Sequence, residues 1–224
     1  MAAELEGPRL APRARGKARQ LVVFLHGYGA DGNDLIGLGQ AWQAILPHAA
    51  FVSPHAPEPC GMAPTGRQWF ALTFRDPQER WRGVNAAAPV LERFLQAELA
   101  RHQLAGNALA LVGFSQGTMM ALHVGLRRSV TPVAIIGYSG ALVLPGDNPE
   151  AIRPALRVRP PVLLVHGEAD DLIPAQALFV AAQGLAALEI PVEWHLSPGI
   201  GHGIDNEGLR HGGEFLARRF DRLP

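Results

Sequence analysis

LALVGFSQGTMMALHVGL, residues 109–126, joins an apolar run of strand length to an apolar helical pattern through Gly113-Phe114-Ser115-Gln116-Gly117. A G-x-S-x-G turn between strand and helix is so tight that it lifts the serine hydroxyl clear of the sheet. Glycine two residues to either side leaves room for strand and helix to approach, while the serine itself takes up the strain. The serine also stands at a helix N-terminus, which puts the backbone N–H of Gln116 beside any atom the hydroxyl attacks. Ser115 is therefore the expected nucleophile.

Short runs rich in β-branched and aliphatic residues recur on both sides of this elbow: LVVFLH (21–26), AFVS (50–53), PVAIIGYS (132–139), PVLLVHG (161–167) and PVEWHLS (191–197). Each reads as a strand buried on both faces. Between them lie helical patterns, the clearest being Val84, Ala87, Ala88, Leu91, Phe94, Leu95 and Leu99, with Pro89 expected in the first turn or at a kink. Others follow the elbow, span Ala175 to Leu188, and run from about Glu207 to Phe220. Strands alternating with helices predict a mostly parallel α/β sheet covered on both faces, in one domain over residues 21–224 with no large lid domain. Residues 54–82 hold five prolines and read as a long irregular loop with a functional role.

Composition narrows the function. Twenty basic and twenty acidic residues cancel, so the chain lacks the positive field that nucleic acid or anionic lipid would favour. A small-molecule substrate is expected, with no nucleic acid and no integral membrane association. No run reaches transmembrane length, no signal-like apolar stretch follows the start, and the single cysteine, Cys60, forms no internal disulfide or cysteine metal cluster. These features predict a cytoplasmic protein and leave a homodimer open. Arg9, Arg13, Arg15, Lys17 and Arg19 make residues 1–20 a solvated, loosely attached segment by expectation.

After the first long strand, Gly27, Gly29 and Gly32 spell G-x-G-x-x-G. A dinucleotide site would need an acidic residue about twenty positions on, at the end of the next strand. That strand reads AFVSPHAP and has none, while Asp31 and Asp34 would repel a pyrophosphate at the helix start. The other use of such a loop is to aim a backbone N–H at developing negative charge. The N–H of Tyr28 is the natural partner to that of Gln116 in an oxyanion hole.

A serine needs an imidazole to take its proton and a carboxylate to orient that imidazole. In hydrolase order, acid and then histidine follow the serine. His26 reads as part of the glycine loop, and His195 and His211 lie within a strand and a helix. His202, in SPGIGHGID, sits on a glycine-rich loop that can swing over Ser115. The acid falls in HGEADD, where spacing alone leaves Glu168, Asp170 and Asp171 open.

With these residues in place, the chain resembles the carboxylesterase and phospholipase family of small serine hydrolases that includes the acyl-protein thioesterases. LHGYGADGNDL, RQWF, GFSQGTMMAL, SGAL, HGEADDLIP and GHGID occur in that family's order from Arg19 onward. The resemblance implies an α/β-hydrolase fold, no metal or organic cofactor, and hydrolysis of carboxylic esters or thioesters. By motif match it puts the acid on Asp170 and the oxyanion donors on Tyr28 and Gln116. It also implies that Trp69 and Phe70 line the acyl site, the alternative being plain core. Arg67 and Arg75 are candidates for attracting an acidic head group. Tyr28 after His-Gly and the sequence GIGHGID depart from the eukaryotic thioesterases and argue against protein-thioester substrates. The expected activity is a serine esterase for short to medium acyl esters, with acyl-protein thioesterase or lysophospholipase as the alternative. A binding module would lack part of the triad, and a cysteine hydrolase would need its thiol at the elbow rather than at Cys60.

Overall fold

The computed structural model describes residues 5–73, 76 and 78–222; Arg75 lies outside them. The elements are β1 (Arg9–Leu10), β2 (Gln20–Leu25), α1 (Gly32–Trp42), β3 (Ala49–Val52), β4 (Glu58–Pro59), β5 (Arg67–Gln68), α2 (Glu79–His102), β6 (Leu109–Phe114), α3 (Gln116–Gly125), β7 (Ala134–Tyr138), β8 (Val162–Gly167), α4 (Gln176–Ala187), β9 (Val192–Ser197) and α5 (Asn206–Phe220). Seven strands form one sheet in the order β1-β3-β2-β6-β7-β8-β9, and β4 pairs with β5 in a separate ribbon. Every pair in the main sheet is parallel except β1 with β3.

Alternate side chains on a strand point to opposite faces, and here both faces are dry. Leu21, Val23 and Leu25 of β2 join Leu109 and Leu111 of β6 in a core completed by α2, α3 and α4. Val22 and Phe24 face the other way, into a core with Leu35 and Trp42 of α1 and Phe215, Leu216 and Phe220 of α5. The continuous apolar runs of the sequence therefore reflect a sheet sandwiched between two helical layers. Its carboxyl edge, where ligands bind in open α/β sheets, carries the glycine loop after β2, Ser115 after β6, Asp170 after β8 and His202 after β9.

Three expectations change. Residues 5–10 are fastened down: β1 pairs with β3, the N–H of Ser53 donates to Pro8 O and that of His55 to Glu6 O, and Leu5 is buried. Arg9 there forms an ion pair with Glu98 of α2 at 2.8 Å, so at least one of the terminal charges is a partner rather than a solvated group. Second, β9 is an edge strand of the sheet and exposes Glu193 and Trp194, instead of being buried on both faces. Third, Pro89 sits mid-way along α2 on its exposed side, which excludes the first-turn alternative.

His123 of α3 gives a testable consequence of this packing. Its ring meets the Trp81 ring edge-on at 5.6 Å, its Nδ1 is buried without a partner among the described residues, and burial, reinforced by Arg127, pushes its pKa down to about 3. The unfolded chain binds this proton below about pH 6.5 and the folded chain does not, so stability is lost as pH falls below 6.5. At pH 5 the loss is about 2 kcal/mol. In urea titrations at pH 7 and pH 5, His123→Phe is expected to shrink the difference between the two stabilities by that amount.

Candidate active site

The elbow forms as its glycines require. Ser115 adopts φ 54° and ψ −115°, a left-handed backbone that a residue with a Cβ enters only under constraint. The constraint is visible: its N–H donates to Tyr138 O at 2.9 Å, and its carbonyl accepts from Thr118 N at 3.0 Å. A Cβ on Gly117 would strike the Leu25 carbonyl, and one on Gly113 would strike the backbone of Gly117 and Thr118. Gly27 is also against the elbow, since a Cβ there would stand 3.4 Å from that of Ser115.

The loop after β8 presents Asp170. Its Oδ1 accepts the backbone N–H groups of Leu172 at 3.0 Å and Ile173 at 2.9 Å. Oδ2 lies 2.7 Å from His202 Nδ1, with the carboxylate side chain fully buried and the imidazole 14% exposed. Burial alone would raise the Asp170 pKa, but the Ile173 N–H, His202 and the Leu172 N–H together hold it below the ordinary carboxylate range. Because a carboxylate can only accept, His202 Nδ1 carries the proton and Nε2 is left as a base. Of the other two acids, Glu168 accepts from Gly199 N at 3.0 Å and so steadies the His202 loop. Asp171 is exposed and has no side-chain partner among the described residues. That loop rests on the end of β8, with Ala169 N donating to Ile200 O at 2.8 Å. The Phe114 ring lies 4.9 Å from the His202 ring.

The glycine loop is arranged to keep donors free. Its helix start is already occupied: Gly32 N donates to His55 Nδ1 at 3.1 Å and Asn33 N to Asp31 Oδ1 at 2.7 Å, which leaves little for a phosphate. The backbone N–H groups of Tyr28 and Gln116, by contrast, donate to nothing among the described residues. His26 receives Ala56 N–H at Nε2, 2.9 Å, so its proton sits on Nδ1 and is donated to Gly27 O at 2.8 Å. Burial keeps this imidazole neutral by lowering its pKa.

A family model described as Phospholipase/Carboxylesterase matches residues 11–219. The chain belongs to that family. It is 28% identical over 193 residues to esterase YpfH of Escherichia coli (strain K12), covering 86% of this chain and 80% of the relative. It is 28% identical over 231 residues to acyl-protein thioesterase 1 of Gibberella zeae, covering 94% and 96%. The crystal structure of esterase PE8 superposes with a TM-score of 0.91 at 42% identity, covering 96% of this chain and 99% of that one. The protein is thus a hydrolase with the α/β-hydrolase fold.

Beside this phospholipase/carboxylesterase site, Trp69 and Phe70 of the RQWF segment are packed inward. Trp69 and Phe70, 1% and 4% exposed, belong to the core and do not border the cleft beside His202. The Gln116 side chain clamps them, accepting Trp69 N–H at 2.9 Å and donating to Phe70 O at 2.8 Å, while Trp69 Nε1 donates to His26 O at 3.0 Å. Arg67 is spent on the Ala56 and Pro57 carbonyls, both at 2.8 Å, rather than held out for an acidic group. The cleft itself, about 340 Å³, is lined by Asp34, Leu35, Leu38, Phe114, His202 and Ile204. One contact went unread in the sequence. Buried His166 donates from Nε2 to Ile173 O at 2.8 Å and stands 3.2 Å from Asp170 Oδ2, so it braces the turn that aims the carboxylate. The histidine of HGEAD was the signal for it.

Proposed function

We propose that this hydrolase cleaves short to medium acyl esters through an acyl-enzyme on Ser115. Ser115 Oγ attacks the acyl carbon as His202 Nε2 takes its proton, and Asp170 keeps the imidazole in the tautomer that can do so. The oxyanion rests on the N–H groups of Tyr28 and Gln116. His202 then gives the proton to the leaving alkoxide, the alcohol departs, and water repeats the sequence to release the acid and restore Ser115. The observation that carries this reading is the conjunction at one sheet edge of a strained serine, a carboxylate-bound imidazole and two unused backbone donors.

The cleft that borders His202 supports an acyl chain of limited length. Its volume, about 340 Å³, is near the lower end of ligand pockets, and Leu35, Leu38, Phe114 and Ile204 supply apolar wall. Asp34 on the same wall disfavours an anionic group. Each methylene buried gains about 0.8 kcal/mol, or about fourfold in kcat/KM, until the cleft is full. With p-nitrophenyl esters of increasing length, kcat/KM is expected to climb by up to that factor per carbon and then level off or fall before palmitate. A climb that continues through palmitate, or activity confined to lysophosphatidylcholine or acyl-protein thioesters, would favour the alternative that the thioesterase relative supports.

For location, the lone and buried Cys60 supports a cytoplasmic protein, and no helix among the described residues is long and apolar enough to cross a membrane. A homodimer is supported by Phe179, Val180 and Trp194, exposed together on α4 and the free edge strand.

A further inference from the structure

Away from the residues assigned to ester hydrolysis, β9 and α5 bring three metal-ligating side chains together. His195, Glu207 and His211 each offer a ligand atom, and these atoms all lie within 4.8 Å of one another. Glu207 and His211 are four residues apart on α5 and so share a face of the helix, with His211 Nε2 and Glu207 Oε1 3.7 Å apart. Two ligands at about 2.1 Å from a tetrahedral centre stand roughly 3.4 Å apart, so this pair already has nearly the required spacing. His195 Nε2 is buried and bonds to nothing among the described residues, an expensive condition for a ring nitrogen. The two imidazoles pack with centroids 4.4 Å apart.

We propose that His195, Glu207 and His211 bind a late first-row divalent cation, with zinc as the best fit, and that the ion staples β9 to the first turns of α5. Two imidazoles and one carboxylate suit zinc and its neighbours rather than magnesium or calcium, which prefer oxygen shells. His211 is partly exposed and Glu207 more so, which leaves access for the ion and for water in the remaining position. The Arg210 guanidinium now stands 3.4 Å from His211 Nε2 and 3.7 Å from Glu207 Oε1. It is anchored on Glu214 by Nη1 at 2.9 Å, and its exposed head can pivot as the ion takes its place.

The position gives the staple a purpose. Residues 198–205, which carry His202, run from β9 to α5 and are already drawn together by Ser197 Oγ donating to Asp205 Oδ1 at 2.8 Å. An ion joining His195 to Glu207 closes the same loop more firmly and raises its resistance to thermal opening. It takes no part in the reaction, since neither Ser115 nor His202 is a ligand.

The test uses the full chain after exhaustive chelation, titrated with zinc chloride by calorimetry and with cobalt(II) by visible absorption. One ion per chain, a rise in Tm with zinc, and no response to magnesium are expected. His195→Ala and His211→Ala should each weaken zinc by at least about tenfold and abolish the Tm rise, with metal-free Tm values close to wild type. His102→Ala, a half-buried control at the end of α2 away from these residues, should bind as wild type does. Ester hydrolysis at an assay temperature well below Tm should be equal with and without zinc, so the staple and the serine mechanism are judged separately. Absent zinc binding in the wild-type chain, or wild-type affinity in the double variant His195→Ala/His211→Ala, would overturn the site.

Discussion

Asp170→Asn is expected to lower kcat by about 10⁴-fold, whereas Asp171→Asn, one residue on, leaves it nearly unchanged. The asparagine amide can offer an N–H where His202 Nδ1 now donates at 2.7 Å, which favours the tautomer with its proton on the nitrogen that must act as base. If the amide turns the other way, its N–H group instead opposes the donors from Leu172 and Ile173, so either orientation leaves a clash. That clash costs about 1–3 kcal/mol of stability. Asp171 is exposed and without a side-chain partner among the described residues, and its exchange should move stability by no more than about 0.5 kcal/mol. Measuring kcat alongside Tm separates the two. An inactive, stable Asp171→Asn would shift the orienting acid by one residue. The depressed pKa of Asp170 also means that its share of stability is complete above the ordinary aspartate value and is lost as pH falls through the lowered one.

Ser115→Ala is expected to lose about 10⁶-fold in kcat, the scale on which a serine hydrolase depends on its nucleophile. Stability should stay close to wild type, because alanine carries the same Cβ into the φ 54° backbone and breaks no cap: the Ser115 side chain makes no capping bond. Loss of activity with an unchanged Tm would therefore be chemical and not structural.

The parts of this molecule legible in the sequence are those whose geometry is local. GFSQG specifies its own turn, and the apolar runs mark β2, β3, β6, β7 and β8 within a residue or two at either end. The pairing of His202 with an acid was legible as a motif order, but the choice among Glu168, Asp170 and Asp171 depends on a turn in which Asp170 Oδ1 takes two backbone N–H groups. The motif match supplied what spacing could not. Arg9 meets Glu98 across 89 residues of chain, so the fastening of the N-terminal segment left no nearby trace. Trp69 and Phe70 read equally well as acyl wall or core, and the Gln116 side chain that holds their backbone reaches them from another element, which leaves no local trace in the sequence. The edge position of β9 left a partial trace: Glu193 and His195 alternate with Val192, Trp194 and Leu196, a period-2 signal for one wetted face that does not account for the exposure of Trp194.

The measurement that bears most directly on the central claim is labelling of the wild-type protein with a fluorophosphonate, followed by intact mass and peptide mapping. The account predicts one adduct per chain, on Ser115, formed in step with the loss of esterase activity. An adduct on any other residue, or complete labelling with activity retained, would contradict it.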